Sequence, residues 1–236
     1  VRVGIVGSRT ARADSVAIAQ RIARELAAAG VTIVSGLARG IDGVAHQAAL
    51  DGGGETIAVM ASGLGHVYPV RHRQLAAEIS GTKRTALGLV AGSGTNARGA
   101  VVTEYGAGDE PPYPNRFPAR NRIIAALSDY LIVIQARPRS GSMSTAHAAL
   151  DLGIPIGIGP VDPAAPAFQG ALALVRDGAD MVVDGLSVAR RLELHGIVAP
   201  GFADGFEHGA RIQPDGSVLV PDVDAVRAAR RSLLLA

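Results

Sequence analysis

Apolar positions along this chain change period at regular intervals. Residues 1–6 form a short apolar run, and residues 13–29 then place Ile18, Ile22 and Leu26 at helical spacing, with Asp14 or Ser15 as N-cap and Gly30 closing the helix. A second run at 31–34 leads into a helix over 41–50 that stops at Asp51-Gly52-Gly53-Gly54. A third run at 56–61 precedes a loop and a polar helix over 71–79. Further on, the pattern predicts strands at 101–105, 130–136, 155–159 and 181–183, with helices at 120–127, 142–152 and 168–177 between them. Strands that are apolar nearly throughout belong in sheets covered on both faces, as parallel strands joined by crossover helices are. The expected architecture is therefore α/β: a doubly wound, mainly parallel, Rossmann-like sheet over residues 1–185.

Two stretches break the rhythm. Residues 81–99, "GTKRTALGLVAGSGTNARG", are rich in Gly, Ser and Thr with several basic residues, and read as a mobile inserted loop. Residues 186–236 read as a small C-terminal extension, with a hairpin around Pro214-Asp215-Gly216 and a last helix from Asp222. No internal repeat is visible.

Composition narrows the chemistry. A chain of 236 residues, 48% of them hydrophobic, has ample material for a core. Its net charge is only +2, so affinity for phosphates must come from clustering of its 23 basic residues. The absence of cysteine excludes disulfides and thiolate metal sites, and a reducing, cytoplasmic setting is the simplest expectation. No apolar run approaches the roughly 18 residues that span a bilayer, and the N-terminus carries no signal-peptide pattern, so no membrane partner is expected. Aromatic residues are just 3% of the chain, which argues against stacking base after base on a row of rings and for reading a nucleic-acid backbone.

In a doubly wound sheet, ligands bind beyond the carboxyl ends of the strands. This sequence places there Gly7-Ser8-Arg9-Thr10, then Ser35-Gly36-Leu37-Ala38-Arg39-Gly40, then Ser62-Gly63-Leu64-Gly65 leading to Tyr68-Pro69. Later come residues 116–122, with Arg120, Asn121 and Arg122, and residues 136–142, with Arg139, Ser140, Gly141 and Ser142 and with Thr145 one turn on. Glycines admit a ligand close to the backbone, amides and hydroxyls meet anion oxygens, and arginine binds phosphate bidentately. The repetition of that formula points to a phosphate-bearing ligand, and arginines spread over many loops suit a polymer backbone as well as one nucleotide. Catalytic signals are thin. "GIVGSR" lacks the GxGxxG spacing, "GSGTNARG" lacks the Gly-Lys-Ser/Thr of a P-loop, and no GxSxG elbow appears. His46, His66, His72 and His147 show no metal-ligand spacing, so neither a metal, a cofactor nor a catalytic set is expected.

Five segments in order, "IVGSR", "VSGLARGIDGVAHQAAL", "TIAVMASGLGHVYP", "TEYGAGDEPPYPNRFPARNRIIAALS" and "SGSMSTAHAALDLG", resemble the Rossmann-like domain of the DNA-processing DprA/Smf family. The resemblance covers residues 3–184. It implies a cytoplasmic bacterial protein, not an enzyme, that binds single-stranded DNA, usually as a homodimer, and helps load the recombinase RecA during DNA uptake by transformation. It also implies that Ser8, Arg9, Gly36, Arg39, Arg120, Asn121 and Arg122 fall on DNA-facing positions. The chain departs from the family pattern at Gln135 and Gly65, where an acidic residue is usual, and near His72, where an Asn is. Losing negative charge twice should leave the pocket more positive. Members often carry an N-terminal helical module and a C-terminal winged helix, neither of which this sequence displays.

Structural roles are expected beside the functional ones. Asp42 complements a helix dipole, with Arg39 as a candidate partner, and His46 reads as a core histidine. Lys83, Arg84 and Arg98 read as solvated loop charges. Arg120 and Arg122 stand at a predicted helix start, where positive charge opposes the dipole by about 0.3–1 kcal/mol each unless an anion binds. A small-nucleotide sensor or carrier on the same fold is the alternative; hydrolase relatives of that fold need a glutamate that the Ser140 region lacks.

Overall fold

A computed structural model of the chain describes residues 1–84, 89–90, 96–106, 108, 110–207, 211–212 and 218–219. In order, its elements are β1 (Arg2–Gly7), α1 (Ala13–Ala28), β2 (Thr32–Ser35), α2 (Ile41–Asp51), β3 (Thr56–Val59), α3 (Arg73–Ser80), β4 (Lys83–Arg84) and β5 (Leu89–Val90). There follow β6 (Gly99–Val102), α4 (Arg116–Ala126), β7 (Tyr130–Ile134), α5 (Gly141–Asp151), β8 (Ile156–Ile158), α6 (Gln169–Arg176), β9 (Asp180–Met181), α7 (Gly185–Leu194), α8 (Asp204–Glu207), β10 (Arg211–Ile212) and β11 (Val218–Leu219). A short 3-10 turn, Val70–His72, precedes α3.

Seven strands form one sheet in the order β6-β3-β2-β1-β7-β8-β9, and every neighbouring pair is parallel. The chain winds outward from β1 in one direction as far as β6, then returns to lay β7 beside β1 and winds out the other way. The order therefore reverses between β1 and β7, where such folds open a crevice. β7 shows why its sequence is apolar throughout. Tyr130, Ile132 and Ile134 enter the core shared with α1, α2 and α7, while Leu131 and Val133 enter the core shared with α4, α5 and α6. A third, smaller core joins Leu75, Ala76 and Ile79 of α3 to Leu37, Ala58 and Met60.

Beyond residue 185, α7 buries Val188, Ala189 and Leu192, and Phe202 and Phe206 pack on the same core. One expectation is corrected: the helix expected to start at 120 starts at Arg116, because Pro118 sits in its first turn, where a missing N–H breaks no intrahelical bond. Arg98 is exposed, and its guanidinium also donates to the Leu50 carbonyl at 2.6 Å. Within 81–99, β4 and β5 pair antiparallel, and β10 pairs antiparallel with β11 on either side of the expected turn. The Pro214–Gly216 turn, the helix from 222, and the side chains of Lys83 and Arg84 lie outside the described residues.

Candidate nucleic-acid interface

Beyond the ends of β1, β2 and β3 lies an open cleft. Its basic wall, from the loops after β1 and β2, carries Arg9, Gly36, Ala38 and Arg39; its aromatic wall, from the segments after β3 and at the start of α4, carries Tyr68, Pro69 and Phe117, and the buried Ser62 and Arg120 also line it. Arg9 and Arg39 are exposed, and neither has an ion-pair partner among the described residues. The Arg9 guanidinium lies 5.2 Å from the Phe117 ring centroid, a cation–π contact, and Tyr68 meets the same ring edge-on at 5.9 Å. Tyr68 is 43% exposed.

The β1 loop is held from below. The Ser8 hydroxyl accepts the Thr10 amide at 3.2 Å, and its carbonyl accepts the Ile41 amide. Gly40 (φ +75°) lets α2 approach that loop, for a Cβ there would stand 2.2 Å from the Ser8 carbonyl oxygen. Gln135, buried with φ +53°, accepts the Arg12 amide at 2.8 Å through its side-chain oxygen. Gln135 thus holds main chain beside the arginine loop, a contact that the charge argument alone did not foresee.

The β2 loop is gripped more completely. The Gly36 amide donates to Asp42 at 3.2 Å, and Arg120 donates through one nitrogen to the carbonyls of Gly36 and Val59. Leu37, at φ +56° and fully buried, donates its amide to His46 Nε2 at 3.3 Å, and its carbonyl lies 2.8 Å from His72 Nδ1. Because the Thr56 hydroxyl donates to the Ile33 carbonyl, His46 Nδ1 is the donor in its 2.7 Å contact with Thr56. Both ring nitrogens are committed to the neutral form. Burial, with the positive charges of His72 and Arg120 nearby, accordingly pushes His46 down to about 3. Burial also raises Asp42, an effect the Arg120 charge opposes, and burial lowers Arg120.

Several expected site residues therefore belong beneath the cleft. Arg120, 3% exposed, does not face solvent and sits in the second turn of α4, so the dipole anomaly expected there vanishes. Asn121, also buried, donates to the Gly141 carbonyl at 3.0 Å and ties α4 to α5. Arg122 is exposed and paired with Glu104. Asp42 has Arg120 rather than Arg39 as its cationic neighbour. The Ser35 hydroxyl, fully buried, donates to the Ile5 carbonyl at 2.6 Å, Gly7 pairs with Ile134 in the sheet, and the Gly63 amide donates to the Glu110 carbonyl. Across the switch point, Ser140 caps α5 by accepting the Met143 amide at 3.4 Å. Ser142 and Thr145 are buried, while Arg139 and Gly141 are exposed; none of these five residues lines the cleft.

Sequence reasoning placed Tyr68 and Phe117 at the strand ends but gave their rings no part in binding. An average aromatic content hides clustering, and the wall they form joins residues far apart in sequence. Among the described residues, no group of three His, Asp or Glu side chains could hold a metal ion, and no helix is long and apolar enough to cross a membrane.

The family model for DNA recombination-mediator protein A matches residues 1–193. The chain belongs to that family. Protein Smf of Escherichia coli is 38% identical over 192 residues, 81% of this chain and 47% of its own length. DNA processing protein DprA of Streptococcus pneumoniae is 35% identical over 192 residues, 81% of this chain and 62% of its own. The chain spans about half the length of these relatives. Among solved structures, DNA processing protein A of S. pneumoniae superimposes with a TM-score of 0.67 at 34% identity, covering 79% of this chain and 60% of that one. DNA processing protein A of Helicobacter pylori, solved for its single-stranded DNA binding mode, gives 0.68 at 30% identity over 83% of this chain and 81% of that one. A molybdenum cofactor binding protein from Rippkaea orientalis, with a TM-score of 0.55 at 18% identity, shares the fold alone.

Proposed function

We propose that this DprA-family chain binds single-stranded DNA at the carboxyl-end cleft and acts in recombination during DNA uptake. It would do so as a homodimer that hands the strand to a RecA-type recombinase. The observation that carries the reading is the presence in one cleft of two exposed arginines, neither with an ion-pair partner among the described residues, beside the rings of Tyr68 and Phe117. Guanidinium groups take phosphate oxygens, and a ring offers any base a π-face, so the combination grips a strand without reading its sequence. Family membership supports the same reading, as does the single-stranded DNA binding mode of the H. pylori relative.

Oligonucleotide titration across a salt series, with mass measurement of the complex, tests it. Neutralising Z phosphates on a single strand gives a log–log slope of about −0.7Z. A mononucleotide that competes as well as a decamer would overturn the polymer reading. A one-to-one mass would overturn the homodimer.

A further inference from the structure

The geometry points to His72 as a positioning residue that latches the two walls of the cleft together. His72 closes the short 3-10 turn that follows Tyr68 and Pro69 on the aromatic wall. Its Nδ1 donates to the Leu37 carbonyl at 2.8 Å, and Leu37 opens the segment that carries Ala38 and Arg39 on the basic wall. His72 itself does not line the cleft. Its Cε1 lies only 2.6 Å from where a Cβ on Gly43 would stand, so the ring packs flush on the first turn of α2 with no room for another side chain.

The remaining contacts of that segment explain why one bond matters. Asp42, His46 and Arg120 fix the amide of Gly36, the amide of Leu37 and the carbonyl of Gly36. Asp42 and His46 come from α2, and Arg120 comes from α4, which also carries Phe117; His72 alone ties the segment of Tyr68 and Pro69 to this loop by a side-chain hydrogen bond among the described residues. Leu37 is also held left-handed, a conformation that a β-carbon disfavours and that surrounding contacts must maintain. Without the His72 donor, a buried carbonyl loses its side-chain partner, and the Tyr68 segment loses its hydrogen bond to the Leu37 loop, although Arg120 and the Arg9–Phe117 contact still link α4 to the basic wall. Arg39 would then face the strand from a wider range of positions, and the ordering cost would fall on the binding step.

Two measurements test the latch, the first of them free of DNA. Amide hydrogen exchange is compared in wild type, His72→Ala and His72→Asn, the Asn amide offering a donor near the position of Nδ1. Exchange across residues 36–43 and 67–75 is expected to rise about tenfold in the Ala variant and to return toward wild type in the Asn variant. Unchanged exchange in His72→Ala, or equal loosening in both variants, overturns the proposal. The second measurement rests on the DNA-binding reading: a double-mutant cycle of His72→Ala and Arg39→Ala on oligonucleotide affinity. If His72 acts through the position of Arg39, the double variant binds no more weakly than the worse single variant; additive losses overturn that route. Wild type that binds no oligonucleotide refutes the DNA reading and leaves the exchange experiment to decide on the latch.

Discussion

Replacing Arg120 by Ala separates a support from a DNA contact. The guanidinium is 3% exposed, donates to the carbonyls of Gly36 and Val59, and is the leading positive influence on the buried Asp42. Removing it leaves two carbonyls without this donor and a buried carboxylate without its cation. A buried acceptor left without its donor costs about 1–3 kcal/mol, so the two carbonyls together lose about 2–6 kcal/mol. For a chain of this size, about 2–4 °C of melting temperature accompanies each kcal/mol, so Tm should fall by roughly 4–24 °C. Arg120→Lys should restore it only in part, because an ammonium can meet the two carbonyls that one guanidinium nitrogen meets but cannot also reach Asn121 as Nε does. Combining Arg120→Ala with Asp42→Asn should cost less than the sum of the separate losses, since the stranded charge is gone. Differential scanning calorimetry at neutral pH reads wild type, Arg120→Ala, Arg120→Lys, Asp42→Asn and the double variant. An Arg120→Ala protein that melts within a degree or two of wild type yet fails to bind oligonucleotides would refute this reasoning and return Arg120 to the strand.

Arg9→Ala and Arg39→Ala should behave in the opposite way, with melting unchanged and the magnitude of the log–log salt slope reduced by about 0.7 each; a fall in Tm comparable to that of Arg120→Ala would contradict the assignment. Gly36→Ala would put a methyl 2.5 Å from Arg120 Nη1 and 2.7 Å from Asp42 Oδ2, an overpacking that should cost about 1–3 kcal/mol in urea denaturation. His46, held near 3 against an unfolded value of about 6.5, contributes stability that is full above pH 6.5 and is lost as pH falls toward 3. By pH 5 the loss from this group should be about 2 kcal/mol, and it should be absent in His46→Gln, so an equal acid loss in both proteins rules the histidine out as its source.

The sheet was legible because its strands are buried on both faces, which turns the five residues of β7 into an unmistakable apolar run. Helix α4 was misplaced because Pro118 resembles a loop ending, although a proline in a first turn costs a helix little. That shift moved Arg120 from an apparent helix entrance to the second turn, where its guanidinium reaches back under β2 and β3. Arg9 and Arg39 line the cleft as exposed charges in small-residue loops after strands, the placement their sequence context suggests. The contact between the rings of Tyr68 and Phe117 was not legible, since no local pattern pairs residue 68 with residue 117. The departure at Gln135 was read as lost negative charge; the amide instead holds main chain, a role set by geometry rather than by net charge.

The packing of Gly36 against Arg120 and Asp42 also bears on how such a chain can change over generations. A side chain at 36 collides with the guanidinium, loss of the guanidinium strands the carboxylate, and loss of the carboxylate leaves a cation sealed in the interior. Each single step is penalised while the other two residues stay, so the three positions are expected to change together. A lineage that gives up one of them is expected to have replaced the others as well, and its β2 loop will be built on different chemistry.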